Sequence, residues 1–155
     1  MQTLNLPEPV LRIRNKGFKK EVFDSVRRRF VALTPEEWVR QHFIHYLVEL
    51  RNVPLSLIAV EAPVRYNSLK KRGDIVVYGK DGSPCLIVEC KAPKVAVTQA
   101  VFDQAAMYNV SLKVPYLAVT NGMEHFACYI DHGTGKILFL KEIPMFEDLV
   151  KRENS

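Results

Sequence analysis

Asp74, Glu89 and Lys91 are the residues best suited to do chemistry together. Two carboxylates held close in a dry setting repel each other and resist desolvation. A divalent cation between them removes that conflict, and hard oxygen donors of this kind suit Mg²⁺ or Mn²⁺. A lysine beside the pair is no ligand while charged, but it can hold a water or stabilise negative charge developing on phosphate. The plainer reading of the same residues is a strand-end ion pair, Lys91 with Glu89 or with Asp74.

One hairpin would bring these residues together. Asp81-Gly82, between two apolar runs, signals a two-residue turn. Counting outward from Lys80 opposite Ser83 sets Pro84 opposite Gly79 and Asp74 opposite Glu89. Facing residues of an antiparallel pair have Cβ atoms about 5 Å apart on one side of the sheet. Lys91, two residues beyond Glu89, shares that side, and Cys90 points into the core on the other. The stretches 75–77 and 86–88 are apolar at every position, which predicts central strands covered on both faces.

The elements around this hairpin follow from periodicity and punctuation. A helix is expected over 34–50: Thr34 is a good N-cap, Pro35 suits the first position, and Glu37 sits where a capping box needs it. Val39, Phe43, Leu47 and Leu50 recur as its buried stripe. Glu37 then has a local role at the helix start, and Glu36, three residues back from Val39, points along the apolar face. Upstream, 11–14 alternates as a strand, Asn15-Lys16-Gly17 turns, and 18–23 completes a hairpin; 27–33 is a further short strand or a basic loop. Downstream, extended segments at 57–66, 74–78 and 85–91 precede a helix over 98–110. Strands at 116–120, 125–130 and 136–140 follow. This order predicts a mixed α/β sheet with helices packed on it.

Composition narrows the class. The 155 residues suit one domain, and 48% apolar with 25% charged residues is the balance of a globular protein. No apolar run reaches the ~18 residues that a membrane-spanning helix needs. The N-terminus lacks the basic start and apolar stretch of a secretory signal. Three cysteines without CxxC spacing argue against a disulfide framework or zinc knuckle and for a reducing, cytoplasmic setting. A net charge of +5 leaves room for a polyanionic partner. The four histidines show no HxxxH or HxH spacing, and Trp38 reads as a packing anchor.

Asp74, followed by Glu89-Cys90-Lys91 after an apolar strand, resembles the catalytic core of the PD-(D/E)xK nuclease superfamily. A wider set resembles the N-terminal nuclease domain of type I restriction enzyme R subunits. It comprises the helix start Pro35-Glu36-Glu37-Trp38-Val39-Arg40-Gln41, the segment Arg72-Gly73-Asp74-Ile75-Val76, the run 86–93, Gln104 with Tyr108, and 115–122. This likeness spans roughly residues 34–130 and is more specific than the short acidic motif alone. Gly73 stands where the motif has proline. No GxxxxGK[ST] is present, and Gly133-Thr134-Gly135-Lys136 lacks its spacing, so the ATP-driven motor is not carried over and a stand-alone relative is expected.

The resemblance implies a restriction-endonuclease-like α/β fold: a mixed central sheet flanked by helices, with the N-terminal β-hairpin (1–33) packed on a nuclease-like core (34–155) as a single domain. It implies that Asp74 and Glu89 bind the metal, with Glu36 or Glu37 adding a contact from the first helix, and that Lys91 acts on the attacking water. Gln104 and Tyr108, four apart on one helix face, would contact the substrate backbone or a metal-bound water and orient Lys91 or a phosphate. Alternatively Tyr108 continues the stripe of Val101 and Ala105 into the core, with Gln104 an interior amide. Lys70, Lys71 and Arg72 precede Asp74, where a DNA phosphate would approach; a solvated charged surface is the alternative. The implied activity is a Mg²⁺- or Mn²⁺-dependent deoxyribonuclease, with DNA and a separate motor or methyltransferase subunit as partners. A weakly active or inactive DNA- or protein-binding module, and a purely structural domain, are the rival readings.

Overall fold

The computed structural model describes residues 1–151. β1 (Ile13–Lys16), β2 (Lys19–Asp24) and β3 (Arg29–Ala32) form an antiparallel sheet. The expected hairpin thus gains a third strand, because the basic segment pairs with β2, Val31 facing Val22. α1 (Pro35–Arg51) starts where its residues predict: the Thr34 hydroxyl accepts the Glu37 N–H at 3.0 Å, and Pro35 takes the first position. Val39, Phe43 and Leu47 are buried, as helical spacing requires. Leu50 is not; it is 47% exposed. Asn52 ends the helix in a left-handed conformation, and Val53 just beyond it turns back into the core in its place.

β4 (Ile58–Tyr66), β5 (Leu69–Tyr78), β6 (Pro84–Cys90), β7 (Tyr116–Thr120), β8 (His125–Ile130) and β9 (Ile137–Leu140) build the main sheet in that spatial order. All neighbours are antiparallel except β6 and β7, whose parallel pairing needs the crossover helix α2 (Gln99–Leu112). A single turn, α3 (Phe146–Leu149), follows. β6 shows how the layers form. Leu86, Val88 and Cys90 join Val39, Phe43 and Leu47 of α1 in one core, and Ile87 lies with Leu112 and Val114 on the α2 side. With helices on both faces, strands apolar at every position are what this sheet requires. Among the described residues no helix is long and apolar enough to cross a membrane.

β5 and β6 meet in the expected register: Ile75 faces Val88, Val76 faces Ile87, and Val77 faces Leu86. The turn that delivers it is different. The Gly79 N–H donates to the Ser83 carbonyl and the Gly82 N–H to the Gly79 carbonyl, with Gly82 at φ +84°. The loop is therefore three residues, a tight turn completed by a left-handed glycine. It sets Pro84 opposite Tyr78 rather than Gly79. A bulge then places Cys85 as an extra residue on β6 and restores the pairing. The Cys85 thiol donates to the Val77 carbonyl at 3.3 Å there. The two departures cancel before the strands reach Asp74.

Glu37 also differs from expectation. Beyond its N–H contact with Thr34, its carboxylate is 4% exposed and accepts from Arg27 at 2.6 Å, Gln41 at 3.0 Å, and Nε and Nη2 of Arg40, both at 3.1 Å. The acid buried at the helix start is thus Glu37, and Glu36 is exposed. The burial is tolerable because two guanidiniums and an amide satisfy the carboxylate. Arg27 also grips Asp24 at the end of β2, so the N-terminal sheet is tied to α1. Arg40→Met is expected to cost about 3–5 kcal/mol, the penalty for breaking a buried pair from one side. Urea unfolding measures this, and a loss below about 1 kcal/mol, within the range of ordinary surface changes and exposed pairs, contradicts it.

Candidate active site

The β5–β6 ladder stops at Ile75. Just beyond, the Asp74 side chain takes over from the backbone: its Oδ2 accepts the Cys90 N–H at 2.7 Å. Arg40 of α1 donates to the Asp74 carbonyl at 3.2 Å, fixing the strand from the helix side. Glycine precedes Asp74 for a packing reason. A Cβ at Gly73 would lie 2.6 Å from Cγ2 of Val76 and 3.3 Å from Cγ2 of Ile87, so the motif's proline has no space here. On the other strand the Lys91 N–H donates to the Thr120 carbonyl at 2.8 Å, extending β6 along β7 past Cys90. Cys90 itself is buried in the α1-side core, where burial pushes its thiol well up. It is no nucleophile.

Glu89 and Lys91 open into a cleft of about 300 Å³ beneath α2, lined also by Lys71, Val101, Gln104, Ala105 and Tyr108. α2 is set there by Thr98, whose hydroxyl accepts the Val101 N–H at 3.2 Å, and by its buried face at Phe102, Ala106 and Leu112. The residues left over at i, i+4 spacing, Gln104 and Tyr108, border the cleft. Tyr108 is 41% exposed, so it does not continue into the core. Its hydroxyl donates to the Lys70 carbonyl at 3.1 Å, and its ring lies 5.3 Å from the Lys71 ammonium. Lys71 is ion-paired with Glu89. The strand-end ion pair therefore exists, with Lys71 as the cation in place of Lys91. Among the described residues Lys91 makes no ion pair. Lys70 is exposed and Arg72 pairs with Glu61 at 2.7 Å, so of the three basic residues before Asp74 only Lys71 reaches the cleft.

Asp74 and Glu36 do not line this cleft, but charge links them to it. Burial pushes the Asp74 carboxyl up, and the Glu89 charge adds to this against the Cys90 N–H, Arg40 and Lys91. Glu36, although exposed, is also raised, first by partial desolvation and then by the Asp74 charge, with Arg40 and Lys91 opposing. Arg40 and Lys91 are the cations common to both acids. Among the described residues no group of three His, Cys, Asp or Glu side chains stands ready to hold a metal. Asp74 feels the charge of Glu89, and Glu36 that of Asp74, but the three candidate ligands do not form a closed cage. Sequence reasoning missed the roles of Glu37, Arg40 and Glu61. Arg40 reaches the Asp74 carbonyl on β5 and Glu61 on β4, Glu61 pairs with Arg72 of β5, and Glu37 is held by Arg27 and Arg40. All but the last of these contacts join different elements, and only the unusual count of charges at the start of α1 hinted at those of Glu37 and Arg40.

Residues 35–144 match the family model of the type I restriction enzyme R protein N terminus (HSDR_N). The chain belongs to this family. Among solved structures, a fragment described as an HsdR subunit of a type I restriction enzyme from Vibrio vulnificus YJ016 shares the fold. Its TM-score is 0.51 at 23% identity, over 76% of this chain and 24% of that one. The R-protein domain thus spans about a quarter of that relative's length. No curated protein matches the chain.

The raised carboxyls carry a stability consequence. An acid whose native pKa lies above its unfolded value stabilises the fold below the ordinary carboxylate range and loses that contribution as pH rises through the native value. Asp74→Asn keeps an oxygen for the Cys90 N–H and removes the charge. It is expected to raise the melting temperature at pH 7, with the gain shrinking as pH falls toward the ordinary carboxylate range. Melting curves by circular dichroism test this, and a destabilised variant at pH 7 contradicts it.

Proposed function

We propose that this R-protein domain is a metal-dependent nuclease of the PD-(D/E)xK type that hydrolyses DNA phosphodiester bonds. The observation that carries the reading is the end of β6: Glu89 and Lys91 project into a cleft bordered by Gln104 and Tyr108, with Asp74 held against the same strand end. Fold and family membership agree with it.

The donor set fits a hard divalent cation. Asp74 is pushed up by burial and by the Glu89 charge, and Glu36, at the surface, by partial desolvation and by the Asp74 charge, the conflict that such a cation relieves. Asp74, Glu89 and Glu36 would hold Mg²⁺ or Mn²⁺. When bound, the ion polarises the scissile phosphate and lowers the pKa of a water. The chain's own residues supply the rest. Among the described residues the Lys91 ammonium makes no ion pair, and it can position the attacking water or meet charge on the phosphate. Gln104 offers an amide to the substrate backbone. Tyr108 ties α2 to β5 through the Lys70 carbonyl and keeps the cleft's two walls in fixed relation. Lys71 neutralises Glu89 and competes with a cation for that carboxylate. DNA would be the substrate, and a motor or methyltransferase subunit of a type I system the partner.

A second reading has its own support in the Lys71–Glu89 pair and in the open spacing of the acids: a DNA- or protein-binding module on the same fold, with little or no catalysis. Plasmid nicking with Mg²⁺ or Mn²⁺ separates the two. The nuclease reading expects nicking by the wild-type chain and a loss of at least about 100-fold in Asp74→Ala and Lys91→Ala, the scale of one acid–base or electrostatic group. Cleavage undiminished in both variants removes the site assignment, and no cleavage by wild type favours the module. Lys71→Met should enlarge the rise in melting temperature produced by Mn²⁺, since Glu89 is then without a competing cation. An equal or smaller rise shows that Lys71 does not compete.

A further inference from the structure

The positive charge of this protein is concentrated in one small piece of it. Between residues 12 and 29, eight lysines and arginines face two acids, a net +6 against +5 for the entire chain. The pleat sorts these charges. Arg14 pairs opposite Glu21, and Lys16 opposite Lys19, so Arg12, Arg14, Lys16 and Lys19 share one face of the N-terminal sheet with Phe23 and Phe30. The other face carries Val22 and Asp24, both wholly buried, with Asp24 holding Arg27 against Glu37 of α1. The basic face is therefore the outward one.

Its side chains are ordered rather than merely numerous. The Arg12 guanidinium lies 4.7 Å from the Phe23 ring centroid, and that of Arg14 3.9 Å from Phe30. Stacking of this kind holds a planar cation flat and leaves its N–H edges for a bidentate oxyanion. Glu21 is the single acid on the face, paired with Arg14 at 2.8 Å, and the Arg14 side chain stays 51% exposed. Lys16 directly opposite Lys19 is a like-charge pair, unfavourable within the sheet and relieved by an anion. Alternate residues on β1 repeat about every 6.6 Å, so Arg12, Arg14 and Lys16 form a regular row along one edge of the face. Phe18 stands fully exposed at the turn joining the two lysines.

We propose that this face binds the phosphate backbone of duplex DNA. It lies outside the stretch matched to the R-protein family and shares with the nuclease reading only the choice of DNA as ligand. Contacts of this type position a duplex without reading its sequence. The test is fluorescence anisotropy of the full chain with a labelled duplex, without divalent cation, across a salt titration. Replacing Arg12, Arg14, Lys16 and Lys19 together by glutamine should weaken binding at least about tenfold and lower the salt slope by about 3.6, given ~0.9 per lost phosphate contact. Lys16→Gln with Lys19→Gln, which leaves the arginine–phenylalanine stack intact, should lower the slope by about half as much. That pair keeps the test decisive if the fourfold variant fails to fold. Unchanged affinity and slope in both overturn the inference, as does competition by poly-glutamate equal to that of unlabelled DNA. Wild-type nicking is scored separately. Binding lost in the variants with no nicking by any chain retains this surface and removes the nuclease; nicking with unaltered binding does the reverse.

Discussion

Arg40 is where the fold and the site become one structure. Its guanidinium is buried, and it satisfies Glu37 on its own helix, reaches Glu61 on β4 at 3.5 Å, and donates to the carbonyl of Asp74 on β5. A buried guanidinium without partners would be untenable, so β4 and β5 must come to it. Arg27 extends the same cluster to Asp24, which brings the N-terminal sheet into register with α1. Glu61 sits in a left-handed conformation on β4, opposite the place where β5 leaves β6. The strain belongs to the point where the regular sheet gives way to the site.

At that point the protein accepts electrostatic cost. Asp74 gives up solvent, and Glu36 lies within reach of its charge. Elsewhere pattern and packing agree: apolar strands are covered, helix ends are capped, and Glu37 is fully partnered. Where local consistency breaks, function is the usual reason. The acids here are compensated incompletely by Lys91, Arg40 and the Cys90 N–H, and Lys71 occupies Glu89. A cleft lined by the Lys91 ammonium, the paired Lys71 ammonium and an exposed tyrosine is suited to an anionic ligand.

Most of the scaffold was legible because its signals are local. Thr34-Pro35 marks a helix start. Alternation in 11–14 and the unbroken apolar runs at 75–77 and 86–88 each declare one kind of strand. The strand limits at 116–120 and 125–130 follow from the turn residues between them. The β5–β6 register was also legible, although for an incomplete reason. Asp81-Gly82 implies a two-residue turn, and the real loop is longer by one, compensated by the bulge at Cys85. A bulge depends on how the next layer packs, and no spacing along one strand reveals it.

The sequence by itself determined which residues lie near β6's end, because strand alternation and the i, i+4 spacing of Gln104 and Tyr108 are properties of a single element. It also determined that helices cover both sheet faces. Only the tertiary structure decided who pairs with whom. Lys71 rather than Lys91 meets Glu89, Glu37 rather than Glu36 is buried, and Arg40 reaches Asp74 across 34 positions of chain. Ion pairs are chosen by distances between elements and by which charges can be satisfied out of water. Those quantities exist only once the layers have packed.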